Sequence, residues 1–270
     1  MLTQLAQEID DPIARLWASV QSEALEIAKS EPFLTAILTR LFVEPQDLQG
    51  ALARHLAGLL VPHDMDQDGL ETLLLEAIES TPTVAADAAR DLCAVYERDP
   101  ACETRAHALL NYKGYQALQA HRIAHVLMTQ GRSALAFWLS NRVSLVLGPD
   151  IHPAARIGSG IMLDHGSGIV IGETAVVEDD VSILQNVTLG GTGKMDGDRH
   201  PKVRRGVMIG AGAKIIGNIE IGAFSKVAAG SVVLKDVPER CTVAGIPAQI
   251  VRLHPKSEVP SETMDQSCFD

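Results

Sequence analysis

The sequence predicts an α+β protein in two parts, an all-helical N-terminal half followed by a parallel β-solenoid with a six-residue repeat. Three observations predict it. Apolar residues recur at helical spacing through the first half, an aliphatic residue falls at nearly every sixth position from Ile151 onward, and glycine directly follows many of those lead residues.

The helical half comes first. "DPIARLWASVQSEALEIAKS", "DLQGALARHLAGLL", "GLETLLLEAIES" and "NYKGYQALQAHRIAHVLMTQG" each carry an apolar stripe, with Asp11 before Pro12 as a start signal and Gly131 as a stop. The stripes predict a helical domain over residues 1–148, its apolar faces buried against one another or against a second copy of the chain.

The solenoid follows over residues 149–254. Ile151, Ile157 and Leu163 lead; after a slip of two residues the frame resumes at Ile171, Val177, Ile183 and Leu189; after a longer break it runs Val203, Ile209, Ile215, Ile221, Val227, Val233. Small or branched residues such as Ala175, Val181, Val187 and Ala213 take the fourth place after a lead. A helix has no use for a strict period of six. A solenoid does, because each short strand sends one aliphatic side chain inward and then turns a tight corner. The remaining residues, 255–270, are polar and without period, and are expected to be mobile.

Composition excludes several classes of function. With 46% hydrophobic and 21% charged residues the chain is that of a folded protein, and a formal charge of -11 with no long basic run argues against nucleic acid. "MLTQLAQEIDDP" lacks the grammar of a secretory signal, and no stretch is long and apolar enough to span a membrane, so a cytoplasmic location is expected. Cys93, Cys102, Cys241 and Cys268 form no C-x-x-C pair and read as reduced thiols. The histidines of the solenoid show no metal-ligand spacing, so no metal is expected.

The chemistry is expected where the repeat breaks. The first break, "IMLDHGSG", places Asp164 and His165 where the pattern calls for something apolar. His165 reads either as a polar turn residue or as a general base, with Asp150, fifteen residues earlier and about one coil below, as the carboxylate that accepts its ring N–H. The second break, Gly190 to Gly206, gathers Lys194, Arg199, Lys202, Arg204 and Arg205 against Asp196 and Asp198, an excess of cations suited to an anionic ligand. Arg199-His200-Pro201 reads equally as a solvated loop or as a carboxylate clamp, since a guanidinium can hold a carboxylate through two parallel hydrogen bonds. His152 before Pro153 reads as structural, and Asp99-Pro100 as a turn that ends a helix.

The runs "DIHPAARIGSGIMLDHGSGIVIGETAVVEDDVSILQNVTLGGTGK", "GDRHPKVRRGVMIGAGAKIIGNIEIG" and "AGIPAQIV", with "RDPA" and "YKGYQALQAHRIAH" in the helical half, closely resemble bacterial serine O-acetyltransferases over nearly the whole chain. The resemblance implies a left-handed parallel β-helix, a trimer formed through it, and a pair of trimers joined through the helical domains. It implies transfer of acetyl from acetyl-CoA to L-serine, giving O-acetyl-L-serine and CoA in the committed step toward cysteine, with L-cysteine as feedback inhibitor and no permanently bound cofactor. Matched residue by residue, it makes His165 the general base and Asp150 its orienting carboxylate. It assigns Asp99 and Asp164 to the serine amino group, Arg199 and His200 to the serine carboxylate, and Gly191, Ala211 and Lys226 to the acetyl-CoA groove. No acyl-enzyme is expected on Cys241, and backbone N–H groups of Gly190–Gly193 are the expected oxyanion donors. Many members of the family end in an isoleucine that enters O-acetylserine sulfhydrylase. This chain ends "QSCFD", at Asp270, a departure that leaves that complex unpredicted. The rival readings are a hexapeptide acyltransferase acting on a sugar or an antibiotic, and a scaffold without activity.

Overall fold

The computed structural model describes residues 11–193 and 196–267. The expectations placed on the extreme N-terminus, on Lys194, and on Cys268 and Asp270 lie outside the described residues. Two compact units divide the chain, residues 1–112 and 113–270. No helix among the described residues is long and apolar enough to cross a membrane.

The first unit is helical: α1 (Pro12–Ser30), α2 (Thr35–Leu38, continued by a π-helical turn over Thr39–Val43), α3 (Leu48–Leu60), α4 (Gln67–Glu79), α5 (Thr83–Arg98) and α6 (Arg105–Asn111). Side-chain caps set several starts. Asp11 Oδ1 accepts from Ile13 N with Pro12 in the first turn, Asp47 caps Gly50 N, Asp66 caps Asp68 N and Thr104 Oγ1 accepts from His107 N.

The second unit begins with two more helices, α7 (Lys113–Thr129) and α8 (Ser133–Leu147), separated by Gly131 in the left-handed region (φ +79°). The solenoid then climbs in coils of three short strands. The first coil is β1 (Asp150–Ile151), β2 (Arg156–Ile157) and β3 (Met162–Leu163); the second β4 (Val170–Ile171), β5 (Val176–Val177) and β6 (Ser182–Ile183). The third is β7 (Thr188–Gly190), β8 (Lys202–Val203) and β9 (Met208–Ile209); the fourth β10 (Lys214–Ile216), β11 (Glu220–Ile221) and β12 (Lys226–Val227). β13 (Val232–Val233) and β14 (Cys241–Gly245) close the top, and β15 (Ala248–Leu253) turns back antiparallel to β14.

Parallel pairing stacks these into three faces: β1-β4-β7-β10-β13, β2-β5-β8-β11 and β3-β6-β9-β12-β14. The result is a triangular, left-handed β-helix. The lead residues of the six-residue repeat fill its axis: Ile151, Ile171, Leu189, Ile215 and Val233 line one face and are at most 2% exposed.

α7 and α8 fall within the same compact unit as the solenoid, whose open lower end they cover. Such an end exposes an apolar core and needs a cap. Leu118 of α7 enters that core, and the Arg122 guanidinium donates to the carbonyls of Ile157 and Gly158. Ser140 of α8 donates to the Ile151 carbonyl. Gly114 packs so closely under β3 that a Cβ there would collide with the Leu163 carbonyl oxygen.

The segment after His254 lies against the solenoid through Ser267. α9 (Pro260–Thr263) lies along the β3-β6-β9-β12-β14 face, with Pro260 and Ser261 buried. Ser182 Oγ donates to Ser261 O, and the buried His254 ring meets Thr242 Oγ1 through Nε2 at 2.9 Å. The segment is polar in sequence but satisfies its backbone groups against outward-facing polar side chains of the solenoid, which residue spacing alone does not disclose.

Candidate active site

His165 owes its place to the two-residue slip. Asp164 pairs in the ladder with Ile183 O, and Ser167 O accepts from Asn186 N, so the coils match on either side of His165 and Gly166. Those two residues are the insertion. The regular left-handed corner residue is Gly168, stacked below Asn186, Gly212 and Gly230; His165 (φ +56°) and Gly166 (φ +75°) add two more left-handed residues and push the loop outward. The His165 side chain is 71% exposed. Gly166 turns inward, where a Cβ would press on Gly114 and Pro149.

Asp150 starts β1 beside Pro149, which brings it to the same edge as the insertion. No hydrogen bond joins Asp150 to His165 among the described residues. The carboxylate in ion-pair range of the imidazole is Asp164, with Oδ1 3.7 Å from Nε2. Above His165 the same edge carries Ser167, then Gln185, and above Gln185 the small residues Ala211 and Ala229, flanked by Gly210, Gly212, Ala228 and Gly230. Ala211 therefore stands two coils above the insertion, about 10 Å at ~4.8 Å per coil.

Arg199 and His200 occupy a different edge. They lie in the long break between β7 and β8, at the far end of the β1-β4-β7 face, one side of the prism away from His165. That side is about six residues, roughly 15–20 Å at ~3.3 Å per residue. Thr174 builds the group: its Oγ1 accepts from Arg199 N (3.0 Å) and His200 N (3.1 Å) and bonds His200 Nδ1 (2.9 Å). Thr174 N also donates to His200 Nδ1, which fixes that nitrogen as an acceptor and leaves the proton on Nε2. Burial and then the Arg199 charge push the His200 pKa down, so the ring is held neutral. Gly172 leaves the space for it, since a Cβ there would run into the imidazole. Arg199 Nη2 pairs with Glu173, whose carboxyl that hydrogen bond holds below the usual range. Lys202 Nζ ties the loop down through Asp198 (2.6 Å), His200 O (2.6 Å) and Thr174 O (3.1 Å).

Gly191 belongs to this second edge as well. A Cβ on it would crowd Arg199 and His200. Lys226, which the resemblance assigns to the acetyl-CoA groove, presents no free cation there. It is 2% exposed on β12, and its ammonium donates to the carbonyls of Asp265 and Ser267, so it anchors the C-terminal segment. Asp99 belongs to the helical unit, where Oδ1 caps Ala101 N at 2.8 Å and closes the turn after α5.

His152 keeps the structural role expected of it: Nδ1 accepts from Ala154 N and the ring meets Phe137 edge-on. Cys241 is fully buried, and burial pushes its thiol pKa up, away from nucleophilic use. Sequence reasoning missed Thr174 and Glu173, which carry no motif of their own; the signal was the glycine at Gly172 followed by two polar residues at the corner below the long break.

A left-handed β-helix whose repeat is interrupted to present an imidazole at the foot of a small-residue edge defines a hexapeptide-repeat acyltransferase. The helical half matches the family described as serine acetyltransferase, N-terminal, over residues 16–120, and residues 200–235 match the bacterial transferase hexapeptide. The serine acetyltransferase of Salmonella typhimurium is 52% identical over 251 residues, covering 93% of this chain and 92% of that protein. A serine acetyltransferase solved with cysteine superposes with TM-score 0.91 at 50% identity, covering 93% of this chain and 98% of the other. The Brucella abortus enzyme with coenzyme A gives 0.87 at 49% (91% and 97%), and the soybean enzyme with serine 0.87 at 50% (90% and 100%). The chain belongs to the serine acetyltransferase family.

Proposed function

We infer that the insertion at His165 is the reaction centre of a serine acetyltransferase. The reaction moves the acetyl group of acetyl-CoA to the hydroxyl of L-serine, giving O-acetyl-L-serine and CoA, the committed step of cysteine biosynthesis. The observation that carries this reading is the placement of His165 at the foot of an edge whose upper coils present small residues, Ala211 and Ala229 among glycines. A pantetheine arm is long, narrow and amide-rich, and an edge of Ala and Gly leaves it room beside backbone N–H and C=O groups. Ala211 serves the coenzyme in this way, through the backbone, and Gly191 does so from the Arg199 edge.

His165 removes the serine proton during attack on the thioester, a role worth roughly 10²- to 10⁴-fold in rate. Asp150 orients the imidazole, a contact that tightens in the substrate complex, as catalytic hydrogen bonds of unliganded enzymes commonly do. Asp164 takes the serine ammonium, and Arg199 with neutral His200 takes the carboxylate. Because the clamp and the base stand at opposite ends of one face, a complete site takes its base from one copy and its clamp from the next around a three-fold axis. Pairing of trimers through the helical unit would use exposed apolar residues there, Phe33 at 95% foremost. L-cysteine, which differs from serine by one atom, fits the same clamp as a feedback inhibitor, and a cytoplasmic location suits this pathway.

The test is release of CoA from acetyl-CoA with L-serine, D-serine, a sugar or no acceptor. Release that depends on L-serine is expected, and release driven by a sugar would overturn the reading.

A further inference from the structure

The loop that carries His165 holds three left-handed residues in four positions, His165 and Gly166 of the insertion and the corner Gly168, and only the glycines accept that backbone without cost. Internally it is tied by Gly166 N donating to Asp164 O and by a long Ile169 N to Gly166 O bond of 3.3 Å. A loop so lightly bonded, with a non-glycine residue in the left-handed region, keeps one shape only when its surroundings impose it.

Two consecutive residues at the start of α7 do so. Lys113 Nζ donates to Ser167 Oγ at 2.5 Å, and Gly114 lies directly behind Gly166 and the Leu163 carbonyl. No carboxylate among the described residues lies within ion-pair range of the Lys113 ammonium. Its described partner is the hydroxyl two residues beyond the imidazole.

We propose that Lys113 and Ser167 form a latch that sets the base-bearing insertion, making Lys113 a positioning residue for acetyl transfer that acts through Ser167. The latch rests on the reading of His165 as the base. Ser167 O is fixed from above by Asn186 N, so the Lys113 bond completes a two-sided grip on the residue that ends the insertion. Loss of either side chain lets the loop relax, and the imidazole then samples positions away from the serine hydroxyl.

The experiment is steady-state kinetics on the full chain with Lys113→Met, Lys113→Arg, Ser167→Ala and the Met/Ala double variant, beside His165→Ala and with thermal melts of each. A misplacement of the base by about 1 Å predicts a kcat loss of roughly ten- to a hundredfold in Lys113→Met and in Ser167→Ala, with both KM values near wild type. Residues acting as one unit are non-additive, so the double variant should be no slower than the worse single one, and Lys113→Arg, which still donates, should recover most of the rate. A raised KM for serine or acetyl-CoA at constant kcat would make Lys113 a ligand-binding residue and overturn the latch, as would multiplicative losses in the double variant. Ser167→Ala changes an exposed hydroxyl and decides the matter even if Lys113→Met fails to fold. An active His165→Ala would instead remove the reading of the base, whereas an inactive His165→Ala beside fully active latch variants would remove the latch alone.

Discussion

Two edges of the same solenoid share one backbone plan and differ in how their functional side chains are held. At the His165 edge the imidazole stands largely in solvent on an insertion of two residues, with Asp164 at 3.7 Å as its ion-pair-range neighbour. At the Arg199 edge the side chains are interlocked: Thr174 serves three atoms, Lys202 ties down three oxygens, and His200 is sunk against Gly172. The difference suits the roles proposed for the two edges. Recognition of a rigid carboxylate gains from donors fixed in advance, because ordering them on binding would cost affinity. A base that must follow a proton through the reaction needs a place near the thioester and freedom for both reactants to enter.

The largest effect is expected at the open edge. His165→Ala should lower kcat by about 10²- to 10⁴-fold while acetyl-CoA affinity, measured by equilibrium titration, stays close to wild type. Loss of coenzyme binding or of the fold instead would mean that the edge is built around the imidazole, and the contrast between a free base and a fixed clamp would fail. Next in size is a mixing test of the separation itself. His165→Ala and Arg199→Ala should each be nearly inactive alone. Co-expressed in equal amounts they should recover activity at about a quarter of the sites, those where an intact base of one copy meets an intact clamp of its neighbour. Recovery no greater than the sum of the single variants would put base and clamp in one chain, against the width of the face between them.

How much of this was legible in the sequence divides along the same line. The solenoid was readable because each coil repeats the same physical demand, an aliphatic residue inward and a small one at the corner, so Ile151 to Val233 announce the core without any knowledge of contacts. His165 was readable because it violates that demand. The clamp was only half readable: a cationic run such as Arg199 to Arg205 has the same composition whether it is a solvated loop or a site, and the residue that organises it, Thr174, lies twenty-five positions earlier in sequence. Nothing local marks such a partnership, which exists only because one coil stacks on the next. Lys226 was unreadable for a related reason. The resemblance alone placed it at the coenzyme groove, and its burial comes from the polar C-terminal segment lying over that face. The surface that α7 buries against is not legible either, because the helix is buried on nearly every side and the identity of its partner is not written in its sequence.

Smaller effects should come from loosening the fixed edge. Gly172→Ala places a methyl group in the His200 ring position, and should raise the serine KM by about tenfold while leaving acetyl-CoA affinity and kcat closer to wild type. A fall in kcat with unchanged KM would show that His200 is no part of serine binding.

The acid limb of stability probes the same edge. His121, His152 and His200 all have pKa values lowered chiefly by burial, His121 to about 3. The folded state binds fewer protons on these rings than the unfolded chain does below the ordinary histidine pKa. Their contribution is therefore present above that value and is lost as pH falls through it toward the depressed folded value. At about 1.4 kcal/mol per pH unit, His121 alone would take some 2 kcal/mol from stability by about pH 5. Thermal melts from neutral pH to about pH 5 should fall steadily, and His121→Gln should flatten the slope across that window. The serine KM should rise over the same interval, since a proton on His200 Nδ1 removes the acceptor that Thr174 N requires. A KM that stays constant while the melting temperature falls would separate the proposed clamp from the histidines packed beneath it.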